Sequence, residues 1–224
     1  MEKASTISSW TSRRSRTFPN RRPWPLLVAL SLLCVAPWIA GRQAAAAESP
    51  QDVVGATAQQ VIDILGDKQL SSDEKRGKIE AVVYERVDFP TLCRLVLAKN
   101  WGRLTPAQQQ EFMAEFKKHL SVTYGRNVDN YKNEKVAVIG SREEAKGDYT
   151  VLTKVVRGGT ADIVVDYRLR QKDGTWLIID IIIEGVSLVS NFRSQFQQII
   201  ANGGPEKLIE LLREKNVKGE PLKS

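Results

Sequence analysis

The segment from Thr175 to Ile200, TWLIIDIIIEGVSLVSNFRSQFQQII, restricts the fold more than any other part of the chain. Leu177 to Ile183 is a largely β-branched apolar run broken only by Asp180, and Leu188, Phe192, Phe196 and Ile199 follow at three- and four-residue intervals. This pattern predicts a buried strand, a short turn and an amphipathic helix. Long apolar side chains on both faces of the strand require cover on each, from helices or from a hydrophobic ligand.

Upstream the hydrophobic period is also two. Lys135–Ile139, Tyr149–Val156, Ala161–Arg170 and Trp176–Ile183 read as four consecutive strands separated by Gly, Asp and Arg-Gly-Gly turns, and short turns make neighbours antiparallel. In the third strand Ile163, Val165, Tyr167 and Leu169 alternate with Asp162, Asp166, Arg168 and Arg170, so one sheet face is polar there. A three-residue Lys172-Asp173-Gly174 loop sets Leu169, Tyr167, Val165 and Ile163 opposite Leu177, Ile179, Ile181 and Ile183, at the cost of facing Asp166 with Asp180. A two-residue loop would instead bring Trp176, Ile178, Asp180 and Ile182 to the apolar face. The first register keeps carboxylates out of the core and is preferred.

Helices flank this meander. Val54, Ala58, Val61, Ile62 and Leu65 lie on one helical face that Gly66 ends. Ser71 with Glu74 is a capping box opening a second helix, with Ile79, Val82, Val83 and Val87 inward. Both read as ordinary surface helices. Asp88-Phe89-Pro90 starts a third, and Thr105-Pro106-Ala107-Gln108 a fourth whose Phe112, Phe116, Leu120, Tyr124 and Val128 run towards Tyr131. After the helix from Ser187, Gly203-Gly204-Pro205 breaks the chain, and Pro205–Lys215 forms a last helix before a loose tail. The expected class is α+β: helices packed on a four-stranded antiparallel sheet.

Arg13, Arg14, Arg16, Arg21 and Arg22 precede an apolar run from Pro25 to Ala40 and small residues at Ala44 to Ala47. That is the layout of a secretory signal peptide, and the run is shorter than the roughly 20 residues that span a bilayer. The expected organisation is a cleaved signal peptide at 1–47, one domain at 48–217 and a flexible tail at 218–224. Seven of the 33 Lys+Arg and only Glu2 of the 26 Asp+Glu lie in residues 1–47, so the rest carries 26 against 25, a net charge of +1 rather than +7. A nucleic-acid role loses its main support.

The sequence offers little for catalysis. His119 is the only histidine, and it reads as a helix-flank residue; Cys93 stands alone beyond the leader and reads as core. The two do not make a metal site, and no cofactor motif is present. Asp180 in its apolar strand leaves one enzymatic alternative, a general base of the kind found in cone-shaped sheet-and-helix enzymes. The plainer reading is a carboxylate accepting hydrogen bonds from a neighbouring element, with Arg193 as partner.

The run Trp176, Asp180, Ile183-Glu184-Gly185-Val186-Ser187-Leu188-Val189, Asn191 and Arg193-Ser194-Gln195-Phe196 resembles the signature of the MlaC-like, toluene-tolerance family of periplasmic phospholipid carriers. Asp88-Phe89, Leu95-Val96-Leu97, Trp101, Leu104-Thr105-Pro106, Gln108-Gln109, Phe112, Phe116, Thr123-Tyr124 and Tyr131 agree with the family's N-terminal half. Phe192 stands where the family more often has tyrosine, and Ala98 where glycine is common. The resemblance implies a non-enzymatic, monomeric carrier without cofactor, located in the periplasm of a Gram-negative envelope. It would move phospholipid between an inner-membrane MCE-domain ABC transporter and an outer-membrane lipoprotein complex, maintaining outer-membrane lipid asymmetry.

A carrier of that kind needs a dry cavity between sheet and helices. The expected lipid-binding lining is Leu152, Val165, Tyr167, Ile179, Ile181 and Ile183 from the sheet, with Tyr124, Phe192 and Phe196 from the helices. A ligand-free periplasmic protein-binding module fits the same amphipathic elements and predicts an exposed apolar patch instead.

Overall fold

Side-chain caps open each described α-helix of the computed structural model, which describes residues 48–222; the expected signal peptide lies outside them. Ser49 and Asp52 form a reciprocal capping box for α1 (Pro50–Gly66), Ser71 and Glu74 one for α2 (Ser72–Arg86), and Thr105 and Gln108 one for α4 (Pro106–Tyr124). Asp88 caps α3 (Phe89–Leu97), and Ser187 caps α5 (Leu188–Lys218). Short 3-10 turns follow α3 over Ala98–Arg103 and α4 over Gly125–Asn130, so α4 stops at Tyr124 rather than running towards Tyr131. Gly204, at φ 77° and ψ 174°, kinks α5 just before Pro205, where the sequence predicts the break.

The sheet is antiparallel in the order β1-β2-β3-β4-β5: β1 Lys135–Glu143, β2 Tyr149–Val156, β3 Ile163–Lys172, β4 Thr175–Ile183 and β5 Val186–Ser187. The fifth strand, two residues long, is the one addition to the expected four. It pairs with Ile182 and Ile183 on the outer edge of β4, and Val87 bridges to Ile178 further along the same edge.

The register between β3 and β4 differs from the expected one. Asp173 (φ 51°) and Gly174 (φ 81°) are both left-handed and close a two-residue turn with Lys172 opposite Thr175. Leu169 therefore faces Ile178. A bulge at Ile179 then re-phases the strand, so that Tyr167 meets Ile181 and Val165 meets Ile183, while Asp180 falls opposite Arg168 on the polar face. The two-residue turn and an apolar inner face coexist because of that single extra residue. Asp166 pairs with Ile182, and the expected Asp166–Asp180 repulsion does not arise.

Two hydrophobic cores result. Phe112, Phe116, Phe192 and Phe196 centre the first, among α3, α4 and α5, with Phe116 and Phe192 ring centroids 5.0 Å apart and edge-to-face. Val53, Val54, Val151, Leu169 and Ile178 form the second, where the start of α1 lies on the sheet. Residues 219–222, expected to be a loose tail, turn back at the left-handed Gly219, and Leu222 packs against the helical core.

Candidate functional site

Beyond the tight contact of Val53 and Val54 with the sheet, the remaining apolar face of α1 does not close onto it. Ala58, Val61, Ile62 and Leu65 are half-buried and, with Val83 of α2, look across a cavity of about 610 Å³. The opposite wall is the sheet: Val136, Val155, Ile163, Tyr167, Ile178 and Ile181, drawn from all four long strands. Thr57 contributes no free polar group, because its hydroxyl donates to the Val53 carbonyl at 2.6 Å. Burial pushes the Tyr167 hydroxyl above the usual tyrosine range, so it remains protonated. The lining is otherwise aliphatic, and polar groups (Asn130, Tyr131, Glu134 and Arg157) come from the segments flanking the 135–156 hairpin.

Of the residues expected to line a cavity, Tyr167 and Ile181 do so. Val165 and Ile183 pair with each other on the same sheet face, outside the lining. Leu152 pairs with Asp166 and so belongs to the opposite, polar face. Ile179 is buried in the bulge. Tyr124, Phe192 and Phe196 belong to the helical core, where the aromatic stripe of α4 interlocks with that of α5. The cavity therefore lies under α1 and α2, not under α4 and α5. The missed wall, Val54 to Leu65, carries a clear helical stripe, but a stripe does not specify whether protein or open space faces it.

Asp180 is a structural carboxylate. Its oxygens accept from the Ser187 hydroxyl (2.5 Å), the Val189 N–H (3.0 Å) and the Ile181 N–H (2.9 Å), fastening the first turn of α5 to β4. Arg193, its expected partner, donates to the Leu95 carbonyl at the end of α3 instead. His119 is buried rather than on a flank: its Nε2 accepts from the Leu222 N–H (3.3 Å), which leaves the Nδ1 proton for Asn216 Oδ1 (3.2 Å). Desolvation lowers its pKa, partly offset by the Asn216 hydrogen bond. Cys93 is a free, buried thiol whose pKa burial pushes well up.

The profile of the family described as MlaC protein matches residues 55–214. The toluene tolerance protein ttg2D of Pseudomonas putida is 26% identical over 187 residues, covering 80% of this chain and 81% of that protein. A phospholipid-binding protein from Ralstonia solanacearum, solved in complex with a phospholipid, superposes with a TM-score of 0.69 at 28% identity, covering 75% of this chain and 97% of that one.

Proposed function

Since the chain belongs to the MlaC protein family, we propose that it is a carrier that holds a phospholipid by its acyl chains in the cavity under α1 and α2. The observation that carries this reading is an aliphatic cavity placed between an amphipathic helix and a sheet, with its polar groups confined to a few flanking residues. The phospholipid bound to the Ralstonia solanacearum protein and the matching architecture support the same assignment.

At about 0.8 kcal/mol per methylene, a lipid with about 30 methylenes faces on the order of 20 kcal/mol on entering water. A dry cavity removes that barrier without any chemistry, so transport needs no catalytic residue. Asp180, whose oxygens are taken up by the Ser187 hydroxyl and the Val189 and Ile181 N–H groups, fits this non-enzymatic role. The proposal extends to place: the chain works in the periplasm, taking lipid from or giving it to an inner-membrane MCE-domain ABC transporter and an outer-membrane lipoprotein complex. The leader-like composition of residues 1–47 supports export.

Native mass spectrometry of the protein purified from a Gram-negative periplasm tests the reading, with the expected result a stoichiometric mass increment identified as a diacyl phospholipid. Ile62→Asp and Ile181→Asp place a charge on each wall and should cut the bound lipid by about 10-fold or more. Ile62 is half-buried, so its variant keeps the helical circular dichroism. A folded Ile62→Asp protein with its full lipid load would refute the cavity placement, and wild-type protein that takes no lipid from liposomes would refute the carrier itself.

A further inference from the structure

The cavity's lining contains one cation and one carboxylate, Arg157 and Glu134, and both lie at the same end of the β1–β2 ladder. Lys135 pairs with Val156 and Val136 with Val155, so Glu134 and Arg157 lie just beyond the last pair of the ladder. Val136 and Val155 are both part of the cavity wall. Glu134 and Arg157, each two residues beyond these and just outside the strands, line the same cavity.

Opposite charges lining one cavity would ordinarily bond to each other, yet among the described residues neither forms an ion pair. Each is instead held by backbone. One edge of the Arg157 guanidinium, Nε and Nη2, donates to the Ala161 carbonyl, with the Nε contact at 2.9 Å. The edge formed by Nη1 and Nη2 is left to present a fork suited to phosphate oxygens. The Glu134 carboxylate accepts from the Lys132 N–H through Oε2 at 2.6 Å, leaving Oε1 free to accept. Both side chains are half-buried, which limits screening by water.

We propose that Arg157 and Glu134 form a head-group subsite for a zwitterionic phospholipid with a primary ammonium, the guanidinium taking the phosphate and the carboxylate the ammonium. The subsite rests on the carrier reading above and adds selectivity to it. A head group carrying phosphate alone satisfies Arg157 but leaves Glu134 facing an anion. A phosphate followed by an ammonium satisfies both. The expected preference is about 3-fold, the scale of a partly exposed ion pair.

The test is lipid uptake by the intact protein from vesicles containing equal amounts of ethanolamine and glycerol phospholipids with identical acyl chains, read by mass spectrometry of the bound lipid. Wild-type protein should enrich the ethanolamine lipid about 3-fold. Glu134→Gln keeps an acceptor for the Lys132 N–H, and its ratio should fall to about 1. Arg157→Gln should lower uptake of both lipids. Equal uptake or glycerol-lipid enrichment by the wild type, or a ratio that Glu134→Gln leaves in place, would overturn the subsite while leaving the carrier intact. Wild-type protein that takes up neither lipid would overturn both.

Discussion

Ala98 sits at the end of α3 with φ 48° and ψ −124°, a conformation that costs an L-residue with a Cβ on the order of 1–3 kcal/mol. Glycine, which has no Cβ, removes that cost. Ala98→Gly should therefore stabilise the protein by about 1 kcal/mol in urea titration, the gain being trimmed by the larger entropy of glycine in the unfolded chain. His119 makes the second prediction at this scale. Its folded pKa lies below the ordinary 6.5, so its neutral form favours folding above 6.5, and that stability is lost as pH falls from 6.5 towards the lowered folded value. Glu115 faces the same network, its carboxylate and carbonyl both accepting from the Asn216 amide. A thermal melt series from about pH 7.5 down to pH 5.5 should show declining stability in the wild type and a flatter profile in His119→Gln. The sequence alone places His119 on a helix flank because nothing local reveals that Asn216 and Leu222 return to cover it.

The helices were legible because their starts are written in adjacent residues. Ser71 with Glu74 and Thr105 with Gln108 satisfy orphan N–H groups within one turn, and no distant partner is needed to recognise them. The β3–β4 register was not legible, since Asp173-Gly174 favours a two-residue turn while the apolar pattern favours a different phase. The conflict is resolved by the bulge at Ile179, which only packing selects. That bulge also delivers Asp180 to the start of α5, where its charge complements the unpaired N–H groups of the first turn. Asp180→Ala leaves the buried Val189 N–H and Ser187 hydroxyl without their acceptor and should cost about 2–4 kcal/mol, read as a lower urea midpoint. Asp180→Asn, which keeps one acceptor oxygen, should cost less.

For the described domain, the element order and the α+β class followed from periodicity, whereas the position of the cavity did not. The aromatic residues Phe192 and Phe196 looked suited to a ligand, but aromatic stripes on two helices bury each other best, and they do so here. The aliphatic stripe of α1 was left to form the wall. A ligand held there stabilises the folded state by mass action. Protein stripped of lipid should therefore melt several degrees lower than protein as purified, and adding back liposomes should restore the difference. A melting point insensitive to delipidation would count against the cavity as the binding site.

The separation of the aromatic core from the cavity wall also bears on how such a protein changes over generations. Substitutions at Ala58, Val61, Ile62 or Leu65 alter the space above the sheet without disturbing the packing of Phe112, Phe116, Phe192 and Phe196. On the proposed function, the shape of the space offered to cargo is thus set by a few half-buried positions on one helix. Heritable variation in what is carried need not wait for compensating changes in what keeps the chain folded.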